Sequence, residues 1–231
     1  METERNSAGI SYRLRRNRGQ RNLRLRIDPD GSVIVSAPYF APYAEIDEFV
    51  EKSASWIAEH TGRVASHSYT TGDFVPYLGE KKTLMVIDGK KARYDVIDDK
   101  IIVTVRNQDI NAVKKQIRAL YIQTIMDILE KRVPYWCGEL GLDVPEFGVN
   151  HAKGKWGVCY PAEKRLYLSY MCATLPQHLI DMTVLHEVCH LRYSGHGRDF
   201  WNLMKSRMPD TEERKKELKD LVATGWSMNI V

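Results

Sequence analysis

The sequence predicts an α+β protein, with a strand-rich N-terminal part over residues 1–106 and a helical C-terminal part with a small sheet over 107–231. Before residue 106, short apolar–polar alternations are separated by Gly, Pro and Asp turns, which is the strand pattern. Beyond it, apolar residues recur three and four apart, which is the helix pattern. The two parts also differ in chemistry. Eight arginines crowd between Arg5 and Arg26, whereas five of the seven histidines lie from His151 onward.

A chain of 231 residues holds one large domain or two small ones, and either buries a real core. Its 43% apolar and 28% charged fractions are those of a globular protein and argue against disorder. No apolar run approaches a membrane span, so no membrane partner is expected. The polar segment Met1–Ser11 has no apolar signal core, and the expected location is the cytoplasm. Cys137, Cys159, Cys172 and Cys189 show no CxxC pairing and read as reduced thiols.

Each element follows from local pattern. Leu23, Leu25 and Ile27 alternate with Arg24 and Arg26, giving a strand with one apolar and one basic face. Asp28-Pro29-Asp30-Gly31 is a turn signal, and Ser32–Ser36 completes a hairpin with Ile10–Arg15 as its neighbour. Ile46, Phe49, Val50, Trp56 and Ile57 fit one helix ending near Gly62. Strands return at Thr83–Ile87, Ala92–Ile97 and Lys100–Val105. From Asp109 a helix carries Val113, Ile117, Leu120, Tyr121, Ile125, Ile128 and Leu129, and Pro134 is expected to break or kink it. Two short strands fall within Phe147–Tyr170. Pro176 opens a helix through His190, and further helices cover Asp199–Met208 and Thr211–Val222. No internal repeat is visible in the sequence.

The chemistry concentrates in His186-Glu187-Val188-Cys189-His190, an H-E-x-x-H pattern. Residues four apart share one helix face, about 6 Å apart along the axis. Both imidazoles then reach one metal, and Glu187 leans over its open side as general base. His196 reaches the same metal only if the chain leaves the helix and turns back, and Ser194-Gly195 gives it a place to turn. Three imidazoles with one open position are the pattern of a catalytic zinc site. The expected cofactor is one Zn2+ per chain; nickel, cobalt and manganese suit such ligands too.

The remaining histidines read as structural. His60 and His67 are expected at the surface, His178 at the surface or a helix start, and His151 near the cleft without a partner. Cys189 reads as helix packing, and Cys159 as a packing residue that borders the site.

The chain resembles the YgjP-like (DUF45) metal-dependent hydrolases, related to the SprT-like and wider zincin metallopeptidases. The resemblance rests on Val33-Ile34-Val35-Ser36-Ala37-Pro38, on Gly72–Gly79, on Lys155-Trp156-Gly157-Val158-Cys159, on His186–His190, and on His196, Phe200-Trp201 and Met208-Pro209-Asp210. It implies metal ligands at His186, His190 and His196, a catalytic Glu187, and a helical zincin-like core with a small sheet along the cleft. Val158 stands where the family usually has serine. The ligand spacing also equals that of metzincins, but Tyr193 occupies the position of their glycine.

Three functions remain open at this level. A zincin-type peptidase suits H-E-x-x-H with a Glu base. A nucleoside triphosphate pyrophosphatase would use the same metal, with Lys153, Lys155, Arg165 and Arg198 near the phosphates. A SprT-like protease would associate with nucleic acid through the N-terminal arginines, which otherwise read as the solvated face of a strand pair. The expected substrate is accordingly a peptide or a small molecule, with nucleotide or nucleic-acid contact through those arginines.

Overall fold

The computed structural model describes residues 2–27, 31–61, 68–152 and 154–223, with backbone only at 59–61 and 223. The expected turn at 28–30, the helix end at Gly62, and His67 and Lys153 lie outside the described residues, as does the side chain of His60. The architecture is α+β, with three small sheets and six α-helices among the described residues. The described residues form two compact units, one ending at Thr61 and the other starting at Ser68.

In the first unit, β1 (Glu2–Ser7) and β2 (Ile10–Asn17) form an antiparallel hairpin. Its turn places Ala8 and Gly9 at positive φ, 49° and 82°. A second hairpin pairs β3 (Arg24–Ile27) with β4 (Val33–Pro38). The hairpins join through β2 and β4, which run parallel, so the order is β1-β2-β4-β3. The period-two pattern sends Tyr12, Leu14, Val33, Val35 and Ala37 to one face. There they form a core with Ile46, Val50 and Ile57.

The single helix expected over 46–57 is two helices, α1 (Tyr43–Lys52) and α2 (Ala54–Thr61). The break falls at Ser53, whose hydroxyl donates to the Phe49 carbonyl at 2.8 Å. A serine that bonds its own helix in this way competes with the ladder. Ile57 is buried, while Trp56 stays 41% exposed.

The second unit repeats the topology of the first sheet without repeating its sequence. Strands β5 (Phe74–Tyr77) and β6 (Glu80–Asp88) pair antiparallel, as do β7 (Arg93–Ile97) and β8 (Lys100–Val105). The two hairpins again join through a parallel central pair, here β6 and β8, in the order β5-β6-β8-β7. This sheet belongs to the same compact unit as the helices. The compact units therefore divide before Ser68, not at the composition shift near residue 106.

Helix α3 (Ile110–Leu140) is the long core element. Asp109 caps it by accepting from the Ala112 N–H at 2.6 Å, and Gly141, in the left-handed region at φ 62°, ends it. Pro134 does not break it. Val133, Trp136, Cys137 and Leu140 beyond the proline are all buried, and their packing offsets the lost backbone bond. Against α3 lies a third sheet of three strands rather than two: β9 (Glu146–Asn150), β10 (Gly157–Tyr160) and β11 (Arg165–Ser169), in the order β10-β11-β9. Helix α4 (Gln177–Cys189) is buried on several sides, through Leu179, Ile180, Val184, Leu185 and Val188. Its start is fixed by Gly79, where an added Cβ would stand 2.9 Å from the Pro176 Cα. The Gly79 and Leu78 N–H groups donate to the Thr174 and Ala173 carbonyls, at 3.2 and 2.7 Å. Helices α5 (Arg198–Arg207) and α6 (Thr211–Ala223) complete the chain. The four cysteines are free, and Cys137, Cys172 and Cys189 are buried. None of the described helices is long and apolar enough to cross a membrane.

Candidate metal centre

Helix α4 carries His186 one turn before its C-cap, His190. The chain then turns, with the Arg192 and Tyr193 N–H groups both donating to the Cys189 carbonyl at 3.1 Å. Arg192 donates to the Leu140 carbonyl at 3.1 Å, tying the turn to the end of α3. His196 returns over the helix end just before α5 begins.

The three Nε2 atoms converge, separated by 3.2 Å (His186–His190), 3.1 Å (His190–His196) and 2.9 Å (His196–His186). Three nitrogens bound to one tetrahedral ion at 2.0–2.1 Å would stand about 3.3–3.4 Å apart. The observed triangle matches within a few tenths of an ångström. The three residues form the candidate metal-holding cluster among the described residues.

The electrostatics suit a cation. His190 Nδ1 faces the Tyr193 carbonyl at 2.9 Å, which assigns the ring proton to Nδ1 and turns the Nε2 lone pair toward the centre. Burial, with His190 and His196 close by, pushes the His186 imidazolium down to about 3. Burial also lowers His190, against the opposing pull of the Tyr193 carbonyl. Both rings are thus neutral donors near pH 7. Phe200, buried, floors the cluster with ring centroids 5.0, 4.7 and 4.9 Å from those of His186, His190 and His196. Trp201 stacks on His196 at 5.8 Å, and the Lys215 ammonium lies 3.9 Å from the Trp201 ring centre.

Glu187 is 5% exposed, and among the described residues its carboxylate accepts no hydrogen bond. Burial pushes its carboxyl up to about 7, opposed by the charge of Lys155. A neighbouring divalent cation would pull it back down. Glu187 lies against Gly157, where an added Cβ would meet Oε1 at 2.6 Å and Cγ at 2.7 Å. The glycine of the Trp-Gly segment is therefore a close-approach residue, the physical reason for a glycine there. The Trp156 carbonyl accepts from the Ser169 N–H at 2.8 Å and from the Cys172 thiol at 3.2 Å, fixing the entry to β10.

A family model described as YgjP-like, metallopeptidase domain, matches residues 21–221. The chain belongs to the YgjP-like family. Membership places it among metal-dependent hydrolases of the metallopeptidase kind. No curated protein matches the sequence. The segments that carry the YgjP-like resemblance have distinct physical roles here. Gly72–Gly79 ends in the turn that abuts the start of α4, Trp156-Gly157 packs on Glu187, and Phe200-Trp201 supports the histidines.

Among the described residues the other candidates are not members of the three-histidine cluster. His151 is exposed, with its ring 5.6 Å from that of Tyr170. His178 is paired with Glu217 at 2.8 Å. Cys189 is buried, and burial pushes its thiol up to about 12. Cys159 stands two residues after Gly157 on the same strand face. Burial first, and then the Glu187 charge, push it up to about 11. Arg165 is paired with Glu163, and the Arg198 side chain is 90% exposed. Two contributors were not read from the sequence. The Tyr193 carbonyl is backbone and leaves no side-chain signal. Lys215 sits on a separate helix, with no fixed offset from the motif.

Proposed function

We propose that the protein is a zinc peptidase whose substrate binds as an extended strand along β10. The supporting observation is the sheet order. Among the described residues β10 pairs with β11 on one side only, and its first residue, Gly157, lies against Glu187. An edge strand presents unpaired N–H and C=O groups that a peptide backbone can complete. A peptide held there runs past Glu187 and the three histidines.

His186, His190 and His196 would hold the zinc ion, which supplies Lewis acidity toward the scissile carbonyl and lowers the pKa of water. Glu187 takes the proton of the attacking water and returns it to the departing nitrogen. Its burial keeps that proton near the reacting atoms, and Gly157 keeps the carboxylate in place. Phe200 holds the imidazoles against rotation.

A second reading, hydrolysis of a nucleoside triphosphate at the same site, draws on two lysines. Lys155 acts on Glu187 and Lys215 on His186 electrostatically, and both charges suit phosphate. Against it, Arg165 is already paired with Glu163. The test is a quenched-fluorescent peptide library beside a panel of nucleoside triphosphates, each with wild type and Glu187→Gln. Peptide cleavage that disappears in Glu187→Gln supports the proposal. Glu187-dependent pyrophosphate release without peptide cleavage overturns it in favour of the second reading.

A further inference from the structure

The loop between β4 and α1 has a feature that the metal centre does not use. Tyr39, Phe40 and Tyr43 are 44%, 89% and 51% exposed. The loop is held in that form from below. Ala41 is buried and its N–H donates to the Pro38 carbonyl at 3.1 Å. Arg16 Nη1 donates to the Tyr39 and Ala41 carbonyls at 2.7 and 2.8 Å. The aromatics are therefore presented on a fixed backbone.

Guanidinium groups surround them. Arg5 and Arg16 lie 4.2 and 4.6 Å from the centre of the Tyr43 ring, and Arg18 lies 5.2 Å from that of Tyr39. Arg5 is neutralised by Asp47 at 2.8 Å. Among the described residues neither Arg16 nor Arg18 pairs with a carboxylate, and Glu45 in the first turn of α1 makes no ion pair with either. Among the described residues Phe40 meets another ring only edge-on, with Tyr39 at 5.0 Å and 85°, and its faces are open.

We propose that this surface binds single-stranded nucleic acid, with a base stacked on Phe40 and the flanking phosphates held by Arg16 and Arg18. An open aromatic face beside arginines that no carboxylate neutralises is the recognition chemistry of a single strand. A duplex offers phosphates but no free base faces. The inference is independent of the zinc reading, because the surface lies wholly within the first unit.

The test is fluorescence anisotropy of the full chain with a labelled 15-nucleotide single strand, DNA and RNA, titrated at several salt concentrations. The same sequence as a duplex and vesicles containing anionic lipid are run alongside. Phe40→Ala is expected to weaken single-strand binding at least about fivefold, with an unchanged melting curve. Arg18→Gln is expected to flatten the log–log salt slope by about 0.7. Three results would overturn the proposal. They are no single-strand binding at low salt, equal binding by wild type and Phe40→Ala, and Phe40-dependent binding to vesicles in place of the oligonucleotide.

Discussion

Glu187 and Gly157 lie so close that a side chain on the glycine would displace the carboxylate proposed as general base. Gly157→Ala would put a methyl where the carboxylate stands. The expected result is a turnover loss on the order of ten- to a hundredfold, with zinc content unchanged by elemental analysis. Glu187→Gln should also keep the metal, and lose about 10²- to 10⁴-fold in turnover as a missing general base does. A Gly157→Ala enzyme with normal turnover would detach Glu187 from the chemistry proposed for it. At this scale the sequence was informative where chemistry has a fixed spacing. His186, Glu187 and His190 follow from helix geometry, and His196 needed only a turn. The Gly157 contact was hidden, because sequence spacing does not say which strand lies against a helix.

Helix α4 is positioned by its neighbours as much as by its own pattern. Asp181, one turn before the metal motif, accepts from Arg132 Nε and Nη2 at 2.6 and 2.8 Å and from Trp136 Nε1 at 2.8 Å. Both partners lie on α3. Asp181→Ala leaves the half-buried guanidinium and the indole N–H without their acceptor. The expected loss is about 2 kcal/mol in urea unfolding, and no change in the unfolding midpoint would mean the clamp is not stabilising. Element types were legible because periodicity is local. Element limits were less so. Ser53 splits the first helix by a side-chain bond, and Pro134 sits inside α3 because packing on both sides of it outweighs one backbone bond. The small sheet has three strands where two were expected within Phe147–Tyr170, because the parallel pairing of β9 with β11 reaches across an intervening hairpin strand and leaves no local signal.

At the scale of the whole molecule, two sheets with the same hairpin–hairpin topology lie in different compact units, and only the second unit carries the histidine cluster. No sequence period announces this repetition, since it resides in strand pairing. Acid stability offers one check. The Tyr12 hydroxyl and then the Arg5 guanidinium hold the Asp47 carboxyl below its ordinary value of 3.8. A carboxyl whose folded pKa is depressed contributes stability that is present above its unfolded pKa and lost as pH falls through the folded one. Wild type should therefore lose stability below about pH 4 more steeply than Asp47→Asn, as followed by urea unfolding across pH 2–5. Equal slopes would remove Asp47 from the account. Zinc should stabilise the fold by about 2.7 kcal/mol when free zinc is a hundred times its Kd, seen as a raised thermal transition that a chelator reverses.

The most direct test of the central claim is the zinc content of purified wild type beside His186→Ala/His190→Ala, by elemental analysis after equilibration with zinc at neutral pH. The account predicts about one zinc per wild-type chain and none in the double variant. A wild-type chain that holds no zinc, or a variant that holds as much as wild type, would contradict it.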